Sequence, residues 1–492
     1  MAEHIEEPAA LPQEIAALVG QRRVIVASNR GPVEFVRGAG NRLTTRRGSG
    51  GVVTALAMLA RDLPMTWVAA TMSDGDRAAF PNESAPAREV RLGRQPVRVR
   101  YVNVAPEMYS LHYDTISNDL LWFLQHYMWD PATSPTFTEE QYTAWDQGYR
   151  PVNFAIARAI AEEALAAAPP QPASRRSARL ADGSDTLVLL QDYHLYLTAA
   201  RVRERLPRAT IQQFIHIPWP AMRYWQFLPE RFVLEIFEGL AANDVLGFQT
   251  DGDVRNFLEC ARCFLPDSRV DLDQGRLIRR RHRLLARAYP VTVDAGEILR
   301  TVNSTAGHTG ARELGHLLDD DAQVIVRVDR LEPTKNILRG LQAYGELLRR
   351  HPELHERVRH LVFLVPSRQG LDRYRRYDRD VRRAIQRINA EFGTAEWQPI
   401  TAFFENNRAR ALAAMRRYDV LLVNPVIDGM NLVVKEGPIV NERDGAIVLS
   451  RTAGAFEQMR HAVLPVTPTD IEETMEQLYE ALSMSVHERQ ER

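Results

Sequence analysis

Cysteine is nearly absent: the 492 residues hold two, Cys260 and Cys263, spaced C-x-x-C in NFLECARCFL. A zinc site wants a second pair and a redox dithiol a different local context, so neither is supported. The apolar spacing around them is helical and predicts two buried helical cysteines. An excess of one charge is lacking too. The formal net charge is −1, which points to neither nucleic acid nor an anionic membrane as partner. No apolar run approaches the roughly 20 residues of a membrane span. The opening MAEHIEEPAALPQEIAALVG is acidic where a signal peptide is basic, so a cytoplasmic location is expected. There is no nucleophilic serine elbow and no G-x-G-x-x-G after a strand, which weakens hydrolase and dehydrogenase readings. The acidic pieces Asp74-Gly75-Asp76 and Asp319 to Asp321 fall in turn-like sequence and read as solvated rather than metal-binding. Neither a metal nor a cofactor is expected.

What is present reads as a soluble globular protein, with 45% hydrophobic and 25% charged residues. The length calls for more than one domain. Short apolar runs alternate with helical stretches: VIVA from Val24, TLVLL, QQFIHI and DVLGF, then QVIVRVDRL, HLVFLVPSR, DVLLV, AIVLS and AVLPV. Strands of this kind, separated by helices, predict parallel sheets covered on both faces. Residues 169–185 read as a loop, and the basic run Arg279 to Arg283 as a solvated turn or strand edge. The pattern restarts after Ala288 to Val293. The expected architecture is therefore α/β, with two Rossmann-like domains, residues 1–290 and 291–492, facing a central cleft.

In such sheets ligands bind beyond the carboxyl ends of the strands. Arg30, Asp192 and His216 end or follow apolar strands of the first half, and Arg330, Arg368 and Asp428 do so in the second. Arginines together with Lys335 suit a phosphorylated ligand, because guanidinium forks match phosphate oxygens. The alternative for Arg330 and Lys335 is a surface ion pair with Glu332. In YDVLLVNPVIDGMNLVVKE, a buried strand from Val420 breaks at Asn424, Pro425, Asp428 and Gly429 and runs into a helix start, which brings backbone N–H groups toward an anion. Asp428 stands before that helix, and Glu436 two turns along it is placed to reach a ribose. The cluster Gly48 to Gly51 at another helix start allows close approach to a phosphate. Residues 107–127 form an aromatic-rich helical region, whose Tyr113 and Trp122 read by spacing alone as core.

Taken in order, SNR, GSGGVV, YDTISNDLLW, QDYHL, FIHIPWP, LGFQT, RLEPTK, VPSR and DGMNLVVKE resemble the trehalose-6-phosphate synthases, retaining glycosyltransferases of the two-domain GT-B fold. The resemblance runs from Ser28 to about Met484. It implies transfer of glucose from a nucleotide-glucose, UDP- or GDP-linked, to glucose 6-phosphate. The nucleotide-sugar is a substrate, and no metal takes part. Gly50 and Gly51 would lie against donor phosphate, Arg330 and Lys335 would bind the diphosphate, and Glu436 the ribose. Asp428 and the backbone of Gly429, Met430, Asn431 and Leu432 would hold the donor sugar. Arg30, Tyr113, Trp122 and Arg368 would form the acceptor's phosphate pocket, Asp192 would bind acceptor hydroxyls, and His216 would sit near the anomeric carbon. Catalysis would rest on Asp192, His216, Arg330 and Lys335, through positioning and charge stabilisation rather than a carboxylate pair.

The chain departs from the family pattern in places. Gln191 stands where histidine is usual, Glu332-Pro333 where Asp-Tyr is usual, Thr292 where glycine is common, and Ile427 where arginine often precedes the Asp-Gly-Met-Asn segment. Pro333 to Asn336 and Val440 to Asp444 look like a branch that includes the validoxylamine-phosphate synthases, pseudo-glycosyltransferases using GDP-linked cyclitols. That is the alternative enzyme, and a non-catalytic nucleotide-sugar sensor is the alternative of another class. Family members usually continue beyond the position of Arg492 into a helix that returns to the first domain. A homo-oligomer stays open.

Overall fold

The computed structural model describes residues 22–38, 42–48, 63–83, 85–92, 96–166, 182–318 and 322–492, with Val19, Leu56 and Ala60. Two compact units divide the chain, one ending at Tyr289 and the other running from Pro290 to Arg492.

In the N-terminal unit the described strands form a ten-stranded sheet and a separate hairpin, Val33–Arg37 with Leu43–Arg47. The middle of the sheet is parallel. His282–Ala288, Val245–Phe248, Thr210–Phe214, Thr186–Gln191, Arg23–Ala27, Met65–Ala70 and Pro96–Val102 lie side by side in that order. Antiparallel strands finish both edges. The continuous apolar runs are explained by burial on both faces, since successive side chains of a strand point to opposite sides. Val24, Val26, Met65, Trp67 and Ala69 fill one face. Ile25, Ala27, Val68 and Ala70 fill the other, under the helices Arg150–Ala166 and Thr198–Arg205.

The C-terminal unit is a six-stranded sheet in the order Ile400–Phe403, Val358–Pro366, Gln323–Leu331, Val420–Val423, Ala446–Ser450, Leu464–Val466. All neighbours are parallel. Val324, Val326, Leu421 and Val423 pack on Ile298, Val302, Leu412 and Met415. Ile325, Val420 and Leu422 pack on the opposite side with Ile337, Leu341, Leu348 and Leu478. Because every strand runs the same way, all six carboxyl ends open on one edge, and the loops that follow them collect there.

Two sequence expectations need correction. Cys260 is buried but Cys263 is exposed, because helix Asp251–Phe264 buries one side only. Asp74 and Asp76 lie in a short helix, Asp74–Ala79, rather than a solvated turn. Asp76 is buried and accepts from the backbone N–H of Phe35 (2.9 Å), Met72 and Ser73 (both 3.1 Å), so it ties this helix start to the hairpin. Asp319 to Asp321 and nearly all of the 169–185 loop lie outside the described residues. The basic run does form the turn between two antiparallel strands, with Arg280 and Arg281 at positive φ. Among the described residues no helix is long and apolar enough to cross a membrane.

Candidate functional site

In the C-terminal unit the Gln323–Leu331 strand delivers Arg330 at its end and Lys335 in the turn that follows. Lys335 is nearly buried, and its ammonium forms an ion pair with the Asp428 carboxylate, 3.9 Å from Asp329. Burial pulls the ammonium pKa down, but the charges of Asp428 and Asp329 outweigh it and the net shift is upward, so Lys335 stays charged. Arg327, fully buried on the same strand, forms an ion pair with Asp329 (3.0 Å), donates to Asn424 (2.6 Å) and to the Lys335 carbonyl, and so fixes the turn from beneath. Burial raises the pKa of Asp329.

Arg330 lies 2.9 Å from Glu332. That pair was the bland alternative for this segment, yet it is no surface pair, because Glu332 is fully buried. Its other oxygen is 3.2 Å from Arg368, which follows the Val358–Pro366 strand at φ 43°. Arg368 also donates to the Tyr374 hydroxyl at 2.7 Å. A cavity of about 350 Å³ lies beside it, lined by Ser367, Gln369, Tyr374 and Arg379 among others.

The Val420–Val423 strand leads to Asp428, which Lys335 holds and to which Asn431 donates at 3.2 Å. Asn431 has φ 69°, a left-handed turn that asparagine tolerates. The helix begins only at Val433 and has no side-chain cap. Glu436 is therefore in its first turn, not two turns along, because residues 429–432 are spent on the loop. The N–H groups of Lys435 and Glu436 donate to the Leu432 carbonyl (both 2.9 Å), so those of Val433 and Val434 are the ones at this helix start that suit an anion. Met430 is buried in the core, so only its backbone is available to a ligand. Glu436 is not isolated: Arg408 bonds it at 3.0 Å and reaches Glu297 at 2.8 Å. Burial raises the pKa of Glu436 and Arg408 opposes the rise.

The N-terminal unit places its residues differently. Asp192 follows the Thr186–Gln191 strand at φ 70° and ψ −179°, a region that is essentially glycine's and costs a side chain about 1–3 kcal/mol. The surroundings fix it there. Its N–H donates to the Phe214 carbonyl (2.7 Å), its own carbonyl accepts from Gln213 (3.1 Å), and its carboxylate accepts from the His216 N–H (3.2 Å). His216 Nε2 lies 2.9 Å from Gln191 Oε1. Burial pushes its pKa down to about 4, so the ring is neutral at ordinary pH. Tyr113 lies on a helix whose middle, Leu111–Leu121, is wound as a π-helix, a form often found at functional sites. Its ring stacks between Tyr109 and His194, and Tyr109 accepts from Asn29 at 3.0 Å. Arg30, next to Asn29, is exposed. Trp122 is buried and stacks on His126 at 4.0 Å. Gly50 and Gly51 lie outside the described residues.

Arg330, Lys335, Arg368, Asp428 and Glu436 thus gather on one edge of one sheet, and Asp192 and His216 meet in the other unit. Sequence reasoning missed Glu332 as a bridge, Arg327, Arg408 and Gln191. Arg408 follows no apolar strand directly. Gln191 carried a signal only as a departure from a pattern.

Comparison with known proteins is consistent across the chain. The model of glycosyltransferase family 20 matches residues 22–492. The chain is 32% identical over 489 residues to a trehalose-6-phosphate synthase of Mycobacterium avium, covering 97% of this chain and 91% of that one. It is 30% identical over 445 residues to a validamine 7-phosphate valienyltransferase of Streptomyces hygroscopicus, covering 90% and 83%. A solved structure of the E. coli trehalose-6-phosphate enzyme bound with UDP-2-fluoro glucose superposes with a TM-score of 0.78 at 26% identity, covering 95% of this chain and 92% of that one.

Proposed function

Because the chain belongs to glycosyltransferase family 20 and has the GT-B fold of two Rossmann-like units, we propose that it moves glucose, with retention, from a nucleotide-glucose to glucose 6-phosphate, forming trehalose 6-phosphate. The observation that carries this is the cation set at one sheet edge: Lys335 held by Asp428, and Arg330 and Arg368 held by one buried Glu332. In the C-terminal unit Arg330 and Lys335 take the diphosphate, Glu436 the ribose, Asp428 and the backbone of Gly429, Met430, Asn431 and Leu432 the glucosyl group, and Arg368 the acceptor's phosphate. In the N-terminal unit Gly50 and Gly51 serve the donor phosphate. Arg30, Tyr113 and Trp122 serve the acceptor phosphate, Asp192 the acceptor hydroxyls, and His216 the region of the reacting carbon as a neutral ring.

Charge on the diphosphate grows as the glycosidic bond breaks, so fixed cations there lower the barrier more than they tighten ground-state binding. The same cations do the work of a divalent metal, and turnover in EDTA is expected to equal that in magnesium. Loss on chelation, restored by magnesium or manganese, would refute this. The second reading is a pseudo-glycosyl transfer to a cyclitol phosphate, favoured by the valienyltransferase relative. UDP-, GDP- and ADP-glucose set against glucose 6-phosphate, glucose and a cyclitol phosphate separate the two. Diphosphate release with glucose 6-phosphate supports the first, and release only with the cyclitol phosphate transfers the function to the second.

A further inference from the structure

Glu332 is a single carboxylate between two arginines that the reading above assigns to different substrates. It is fully buried. Oε1 meets Arg330 at 2.9 Å and accepts from the Thr334 hydroxyl at 3.3 Å, while Oε2 meets Arg368 at 3.2 Å. The Arg368 nitrogen that meets Glu332, Nη1, also donates to the Tyr374 hydroxyl, and the Arg368 backbone is held in the left-handed region. The head of Arg330 is nearly half exposed. A buried carboxylate needs compensating charge, but here two guanidiniums share one counter-ion. Whatever draws one of them away leaves more of the carboxylate charge to the other.

We propose that Glu332 is a positioning residue that couples donor and acceptor recognition: through one shared carboxylate, the state of Arg368 sets how strongly Arg330 attracts the donor's diphosphate. The inference rests on the assignment of Arg330 to the diphosphate. The link is reciprocal, as any coupling between two binding events must be. Glu332 touches neither substrate and acts only through the two arginines.

The test is the affinity for free nucleoside diphosphate, measured by calorimetry without acceptor, so that Arg368 has no ligand of its own. Four proteins are compared: wild type, Arg368→Ala, Glu332→Gln and the double variant. In the wild-type background, loss of Arg368 leaves Arg330 as the one guanidinium of the pair on Glu332 and weakens nucleoside diphosphate binding roughly 5-fold, the low end of ordinary coupling. In the Glu332→Gln background the same loss changes affinity less than about twofold. Glu332→Asp guards against misfolding of the glutamine variant. It keeps the charge but withdraws the carboxylate by one C–C bond, about 1.5 Å, so it reaches one arginine and also loses the dependence on Arg368. Unchanged affinity in Arg368→Ala, or an equal shift in all three backgrounds, overturns the coupling while leaving the donor site standing. A wild-type protein that binds no nucleoside diphosphate overturns the functional reading, and the coupling with it.

Discussion

In the C-terminal unit, Lys335 faces Asp428, Arg330 and Arg368 share Glu332, and Arg408 spans Glu297 and Glu436. In the N-terminal unit, Asp192 is met by a backbone N–H and His216 by the side-chain amide of Gln191, with stacked rings alongside. Both sets stand at the carboxyl edge of a parallel sheet. The paired charges hold cations in place before any ligand arrives, which suits a group whose charge grows during reaction. A carboxylate already held by a backbone N–H beside a neutral ring suits uncharged hydroxyls, for which an unpaired buried charge would cost desolvation and gain little.

The largest expected effect tests the charged side of that contrast. Lys335→Ala should lower kcat by ~10²-fold or more, the scale of other preorganised charge stabilisers, with a smaller change in donor affinity. Steady-state kinetics with the best donor from the nucleotide panel decides it. Turnover close to wild type would reduce the Lys335–Asp428 pair to a structural contact.

Arg30 brings a cation to the N-terminal unit's set, and it sharpens the comparison. A charge-assisted hydrogen bond contributes about 1.5–3 kcal/mol, and about 1.4 kcal/mol is one decade. Arg30→Ala should therefore cut kcat/KM for glucose 6-phosphate by ~10–10²-fold while leaving the low rate with free glucose almost unchanged. An equal loss with both acceptors would remove Arg30 from phosphate recognition.

Arg408 comes next. Burial raises the pKa of Glu436, and Arg408 holds that rise in check. Without the guanidinium the carboxyl should protonate at higher pH, so donor affinity should begin to fall at a higher pH as the solution is acidified. At neutral pH the donor KM should rise by roughly 10-fold, the scale of one lost charge-assisted bond, and Arg408→Lys should recover part of it. A donor KM in Arg408→Ala with the wild-type pH dependence would show that Glu436 does not depend on Arg408.

These three predictions lean unequally on what the sequence made legible. Strands such as Gln323–Leu331 and Val420–Val423 were plain because double-sided burial leaves an unbroken apolar run. Pro96–Val102 was not singled out, because PVRVRYV alternates with arginines: Arg98 and Arg100 pair with Glu163 of a covering helix. Arg330, Lys335 and Asp428 were legible because strand ends are marked by the loss of apolar character. Glu332 read only as an ion-pair partner of Arg330, since its second arginine lies 36 residues away and no local pattern announces a pairing between strands. Arg408 was hidden for the same reason, 28 residues from Glu436. The helix start at Val433 was misplaced because MNLVV reads as helical while Asn431 takes the left-handed turn.

The smallest effect concerns acid stability, where neutral burial becomes a weakness. The N-terminal unit buries His112 and partly buries His216, and burial pushes their pKa values down to about 3 and about 4. His360 in the C-terminal unit is likewise pushed down, to about 3, by burial and by Arg327. In the unfolded chain each ring titrates near ~6.5. Between that value and the folded one, the unfolded chain binds the extra proton. Stability is therefore complete above pH ~6.5 and declines as pH falls, by at most about 1.4 kcal/mol per pH unit for each ring. His112 is the sharpest probe, because neither ring nitrogen has a hydrogen-bond partner and the ring stacks on Tyr149. His112→Leu removes the titrating group, whatever it does to stability at neutral pH. Denaturant unfolding at pH 7, 6 and 5 should show a shallower loss in the variant than in wild type. Parallel losses would mean that His112 already takes up its proton in the folded protein, and that the neutral character of that region ends well above pH 3.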